Sequence, residues 1–104
     1  MDFQFLVDRA ISVRKLYTKF ELQNYGKSWT TEDIALGFVG DVGDLVKLVM
    51  AESGIREIPG SKKKFEHELS DCLWSIIVLA DIHKIDLENS FLRTMNEIEK
   101  RIST

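Results

Sequence analysis

Apolar residues near the start of the chain fall at Phe3, Leu6, Ala10, Val13, Tyr17 and Phe20, in alternating steps of three and four. That spacing traces one stripe of an α-helix and predicts a helix over about Phe3 to Asn24. The run Tyr25-Gly26-Lys27-Ser28 breaks the pattern. Thr30 or Thr31 then supplies an N-cap, and Glu32 and Asp33 suit the positive end of a second helix dipole. This helix is predicted to continue to about Ser53, with Gly54 as its stop. Ile55 to Ser61, which holds the lone proline (Pro59) and Gly60, reads as a loop. A third helix follows from about Lys62 to His83. Its middle, CLWSIIVLA, is apolar on nearly every face, with Ser75 the one polar member. Such a helix must be covered on all sides, which three others of similar length can hardly do, so a partner chain is expected. Asp86 caps a fourth helix whose stripe is Leu87, Phe91, Met95, Ile98 and Ile102. No internal repeat, low-complexity tract or strand-like alternation of useful length is present. The predicted fold is all-α: one domain over residues 1–104, a four-helix bundle with antiparallel neighbours, completed by homo-oligomerisation.

Composition narrows the classes of function. The chain has 104 residues, 17 acidic against 14 basic, and a formal charge of −3, which argues against a polyanion surface such as nucleic acid or an anionic membrane. The longest nearly apolar run, Cys72 to Ala80, is far short of the ~20 residues of a membrane span. The start MDFQFLVDR shows no signal-peptide pattern. One cysteine excludes an internal disulfide framework and suits a reducing cytosol, so a cytoplasmic protein is expected.

The candidate chemistry lies in two acidic couples. Asp41 and Asp44 stand three apart on the second helix, and Glu68 and Asp71 three apart on the third. Residues at i and i+3 share a helix face, so each couple directs two carboxylates the same way. If the helices pack antiparallel, the four groups converge. Phe38, Val39, Val42, Leu45 and Val46 surround the first couple, and Asp71 opens the apolar run. Carboxylates near a core are costly unless paired or bound to a cation. Oxygen-only donors favour a hard ion, magnesium (Mg²⁺) or manganese (Mn²⁺). The bland alternative is acids that cap, pair with lysine or face water. A di-iron bundle would need Glu-x-x-His couples, and neither His67 nor His83 has a glutamate three residues before it. His67, beside Glu68 and one turn from Asp71, supports a neighbouring ligand or is simply solvated.

Other residues bear on a ligand. Gly37, Gly40 and Gly43 each cost about 1 kcal/mol within a helix. The offset is either close approach of another backbone or a bulky ligand beside Asp41 and Asp44. Lys62, Lys63 and Lys64 open the third helix, and Lys64 stands one turn before Glu68, where its ammonium could meet phosphate oxygens; a solvated lysine run is the alternative. Trp29, just before the second helix, is a candidate for stacking on a base or for clamping the loop, and Trp74 for core or interface.

At these residues the sequence resembles the MazG-type, all-α nucleoside triphosphate pyrophosphohydrolases. The resemblance rests on Val39-Gly40-Asp41-Val42-Gly43-Asp44-Leu45, followed by Glu68-Leu69-Ser70-Asp71-Cys72-Leu73-Trp74, and on Ile85-Asp86-Leu87. The family pattern is Glu-Glu-x-x-Glu, then Glu-x-x-Asp. The likeness is nearest to the dCTP-pyrophosphatase-like branch, which reads Val-Gly-Glu-Val-Gly-Glu-Leu. It implies a MazG-like bundle in which Asp41, Asp44, Glu68 and Asp71 bind Mg²⁺ and act catalytically. It implies hydrolysis of a nucleoside triphosphate to monophosphate and pyrophosphate by a metal-activated water, in a homodimer or dimer of dimers. Nucleotide-pool house-cleaning is the implied role. Two departures stand out. Both acids of the first motif are Asp, one methylene shorter than Glu. Thr94 and Ile98 occupy the positions where relatives often carry Lys and Asn on the last helix, so that Arg93, Asn96 and Lys100 could substitute only with a rotated helix or another register. Those departures suit the alternative function, a catalytically weak or inactive helical oligomer serving as an interaction or regulatory module.

Overall fold

The computed structural model describes residues 2–103; Met1 and Thr104, the two ends of the predicted domain, lie outside the described residues. Four helices follow one another: α1 (Phe3–Tyr25), α2 (Thr31–Glu52), α3 (Ser61–Ile82) and α4 (Leu87–Ile102). No strand occurs among the described residues. The predicted boundaries hold to within a residue or two, and the N-caps anticipated for α2 and α4 are formed. Thr30 and Asp33 build a reciprocal capping box at the start of α2: Thr30 Oγ1 accepts from the Asp33 N–H at 3.2 Å, and the Asp33 carboxylate accepts from the Thr30 N–H at 2.9 Å. Those bonds hold the Asp33 carboxyl below its usual range. Asp86 caps α4 by accepting from the Asn89 N–H at 3.1 Å, and Asp2 caps α1 through Phe5 at 3.0 Å.

α2 and α3 form the principal packed pair, and they run antiparallel. Thr31 at the head of α2 meets His83 beyond the tail of α3 at 3.0 Å, while Lys47 and Leu48 near the tail of α2 share a cleft with Lys63 and Lys64 at the head of α3. The core along this pair holds Ile34 and Leu48 from α2 and Cys72, Ile77, Val78 and Ala80 from α3, with Ser75 buried among them. α1 crosses α3 where the Trp74 indole N–H donates to the Ala10 carbonyl at 3.1 Å and the ring meets Tyr17 edge-on at 5.6 Å. Trp74 thus joins α1 to α3.

The apolar stripes predicted on α1 and α4 are in place but remain open within one chain. Leu6, Tyr17 and Phe20 on α1 are exposed, no residue of α4 is buried, and Phe91 is 57 % exposed. The over-apolar α3 is covered on one side only, leaving Leu69, Leu73, Ile76 and Ile82 exposed. The chain has a radius of gyration of 16.5 Å, against about 13 Å for a compact domain of this length. Its accessible surface is 8066 Å², where a compact 12.0 kDa monomer shows about 6,000 Å². The glycines do not serve a tight helix crossing. A Cβ at Gly40 or Gly43 would meet nothing within 4 Å, and one at Gly37 would meet only the Trp29 ring at 3.7 Å.

With so few buried residues, each one carries a large share of stability. Ile34→Ala, at a position 2 % exposed, is expected to lose about 2–5 kcal/mol in urea denaturation. A loss below about 1 kcal/mol would show that the α2–α3 seam is not the core of the fold.

Candidate metal centre

The antiparallel α2–α3 pair brings together carboxylates that lie far apart in sequence. Asp41 and Asp44 share a face of α2, and Glu68 reaches across from α3. Each of the three offers a carboxylate oxygen within 4.8 Å of the others. Asp41 and Glu68 are partly buried, while Asp44 is exposed. The Glu68 Oε2 atom is buried and has no hydrogen-bond partner. A buried carboxylate oxygen without a donor is costly unless a cation satisfies it.

Partial burial and neighbouring like charges favour the neutral acids. Burial first, then Asp71 and Asp44, push the Asp41 carboxyl above its usual range. Burial again, then Asp41, Asp71 and Asp44, raise the Glu68 carboxyl. The Cys72 thiol, one turn beyond Glu68, is raised by burial and then by Asp41, Glu68 and Asp71. The nearby His67 opposes the rise in both carboxyls. The donor chemistry fits a hard divalent cation: oxygen atoms only, from two helices, with one already stripped of other partners.

Asp71, the fourth acid of the two couples, is not among the three whose oxygens converge. Its carboxylate instead meets His67 Nε2 at 3.2 Å, one turn back on α3, while its charge still acts on Asp41 and Glu68. Lys64 lines a cleft of about 630 Å³ together with Asp44, His67 and Glu68. Lys63 and Lys47 line the same cleft. Lys47 was not foreseen, although its position three residues after Asp44 places it on the same face of α2. Trp29 lies against α2 at Gly37, one turn before Asp41. Arg93 and Asn96 are not brought to this cleft. Both are exposed on α4, where the guanidinium of Arg93 donates to Ser90 at 3.4 Å. The reason is the light packing of α4 against the other helices of its own chain.

An all-α fold whose principal packed helix pair gathers carboxylates near its middle defines a helical protein with an acidic cluster able to hold a cation. Residues 30–103 match the model of the MazG nucleotide pyrophosphohydrolase domain, and the chain belongs to that family. Enzymes of this family generally depend on a divalent metal. No curated protein and no solved structure matches the chain significantly. The match includes both acidic couples and the whole of α4, whereas α1 and Trp29 precede it.

The raised carboxyls give the cluster a pH signature. In the metal-free fold the protonated forms are favoured, so stability falls as pH rises from the ordinary carboxylate range through the raised values. A divalent cation acts in the opposite sense, because its ligands must be ionised. Mg²⁺ or Mn²⁺ is therefore expected to raise the melting temperature more near pH 8 than near about pH 5. Asp44→Asn and Glu68→Gln should each abolish the rise. Glu68→Gln should also melt above the parent without metal, by about 4–8 °C for each kcal/mol of repulsion relieved. An unchanged metal effect in both variants would place the cation elsewhere.

Proposed function

We propose that the chain hydrolyses (d)NTPs to nucleoside monophosphate and pyrophosphate with Mg²⁺ or Mn²⁺ held by Asp41, Asp44 and Glu68, in a role of nucleotide-pool house-cleaning. The observation that carries this reading is the orphaned Glu68 oxygen within a three-carboxylate cluster, at the edge of a lysine-lined cleft. A cation bound there would polarise the phosphoryl group, lower the pKa of an attacking water and offset charge on the leaving pyrophosphate. Asp71 would act beside the ligands, orienting His67 and adding negative charge to the cluster. The family match, together with the cluster, favours the enzyme over a non-catalytic module. Within the family, we place the chain in the dCTP-pyrophosphatase-like branch on its Val39-to-Leu45 run.

The protein's own groups give the substrate a direction along α2. Trp29 at Gly37 offers an aromatic face for the base. The carboxylates at Asp41 and Asp44 mark the middle. Lys47, Lys63 and Lys64 receive the pyrophosphate end, where ammonium groups bond charged oxygens strongly. From Gly37 to Lys47 the helix rises about 15 Å. The slight acidity of the chain does not oppose this, since the cation neutralises the cluster that the triphosphate meets. No helix among the described residues is long and apolar enough to cross a membrane, and a single buried thiol suits a cytoplasmic location.

We further propose that the chain works as a homodimer or dimer of dimers. The excess of about 2,000 Å² over a compact monomer is what one subunit contributes to a large, obligate interface. Covering α4 in this way would also carry Arg93 and Asn96 into a defined setting, where they could contact phosphate or sugar.

A panel of standard and modified nucleoside triphosphates with Mg²⁺ should reveal at least one that yields pyrophosphate, and chelation should abolish the yield. Lys47→Ala and Lys64→Ala are each expected to raise KM by about tenfold, the scale of one lost charged hydrogen bond. Turnover of none of the panel by folded protein would sink the enzyme reading. Sedimentation should give a dimer or larger species at micromolar concentration, and a monomer would overturn the proposed assembly.

A further inference from the structure

α1 buries the wrong kind of residue. Tyr17 and Phe20 are exposed, yet Glu21 is only 4 % exposed and sits beside Arg14. Glu21 Oε1 accepts from the Trp29 backbone N–H at 2.8 Å and from the Arg14 guanidinium at 3.4 Å. The other arm of the guanidinium donates to the Trp29 carbonyl at 2.7 Å. The three residues form a closed circuit in which α1 holds both polar atoms of the Trp29 main chain.

Stability alone gives no reason for this arrangement. Two charges taken out of water are costly, and apolar residues of similar volume usually stabilise as well or better. What apolar residues cannot do is fix a loop peptide by its N–H and C=O together. The planar fork of arginine suits that task, since it can bond Glu21 and a carbonyl at once. The consequence falls on the Trp29 side chain. Its ring lies 3.7 Å from where a Cβ at Gly37 would stand, and the residue is 49 % exposed, so part of its surface faces outward. Gly37 and Asp41 are one turn apart on α2.

We propose that the partly buried Arg14–Glu21 pair is a positioning device for Trp29, holding its indole beside Gly37 as the stacking face for the base of the nucleotide. The inference rests on the nucleotide reading above and adds two residues outside the matched segment. A ring ordered before binding spares the cost of ordering it on binding. The pair touches no substrate; it acts through Trp29.

The test uses the full chain with Trp74→Phe, which leaves Trp29 as the sole tryptophan of two. Replacing both charges together, Arg14→Met with Glu21→Leu, removes the circuit without stranding either ion. In the metal-free protein the Trp29 anisotropy should fall and acrylamide should quench it more strongly, with helical circular dichroism retained. Glu21→Gln, which keeps an acceptor for the Trp29 N–H, should stay near the parent. KM for the best nucleoside triphosphate should rise by about tenfold with kcat unchanged, the scale of one lost stacking contact. Inhibition by inorganic pyrophosphate, which has no base, should not change. Trp29→Ala should match the KM rise and add nothing when combined with the double replacement. If the double replacement loses its helical signal, Arg14→Lys, which keeps the charge without the fork, is read in the same way. Unchanged Trp29 mobility, or pyrophosphate inhibition lost together with nucleotide affinity, would overturn the proposal. Absence of turnover by the unaltered chain overturns the nucleotide reading and the base as occupant, while the anisotropy separately decides whether the pair holds Trp29.

Discussion

Mutual repulsion among carboxylates on α2 and α3 is the constraint around which the chain is arranged. The two helices are the best-packed elements of the structure, and their antiparallel seam sets Asp41 and Asp44 opposite Glu68 within 4.8 Å. Water would screen such charges, but Glu68 Oε2 is buried, so part of the cost remains in the metal-free fold. The seam of Ile34, Leu48, Cys72, Ile77 and Val78 must hold the helices together against it. If a cation fills the cluster as proposed, the free energy released on relieving the repulsion is available to its binding.

Order along α2 follows from the same seam. Because the helix is continuous through Asp41 and Asp44, features at its two ends are rigidly spaced from the cluster. Trp29 lies against Gly37 on one side, and Lys47 faces Lys63 and Lys64 across the cleft on the other. In the reading proposed above, an aromatic end and a cationic end on either side of three carboxylates match the polarity of a nucleoside triphosphate. Open space around Gly40 and Gly43 leaves the outer side of the helix near the cluster unobstructed. The glycines therefore do not offset their helix cost through contact within this chain, where the sequence had allowed a tight crossing of backbones.

Much of the fold could be read from residues alone, and for local reasons. Thr30 and Asp86 cap the helices they were expected to cap, and Asp33, expected only to suit the helix dipole, completes the box at Thr30, since a capping bond depends on neighbours three residues away. Three of the four paired acids converge because i, i+3 spacing fixes a face and a short loop enforces antiparallel packing. What could not be read was coverage. Periodicity tells which side of α1 is apolar but not whether anything lies against it, so Tyr17 and Phe20 proved exposed. Glu21 stands four residues after Tyr17, beside the stripe, and its burial depends on Arg14 and on the loop at Trp29. Asp71 was grouped with Glu68 by spacing, yet His67 on the same face engages it. The His67–Asp71 contact is local, four residues apart on one helix, whereas the hold of Glu21 on the loop at Trp29 is a tertiary choice that a single helix pattern does not encode.

A division of labour follows from where the packing is dense and where it is absent. The acidic cluster lies across the seam between α2 and α3, which is packed within one chain, so its geometry is set by that seam. The hold on Trp29 is also internal, through Arg14 and Glu21 of α1. By contrast, α4 leaves Phe91, Leu92 and Met95 exposed and makes few contacts of its own. If a second copy covers that face, the setting of Arg93 and Asn96 is fixed by assembly rather than by folding of the chain. Cation binding and stacking would then be properties of each subunit, whereas any contact that Arg93 or Asn96 makes with phosphate or sugar would be acquired with the interface. The departures on α4 from the family pattern fall on the element whose position is least determined by its own chain, and the residues that a single chain does fix are the ones that gather the carboxylates.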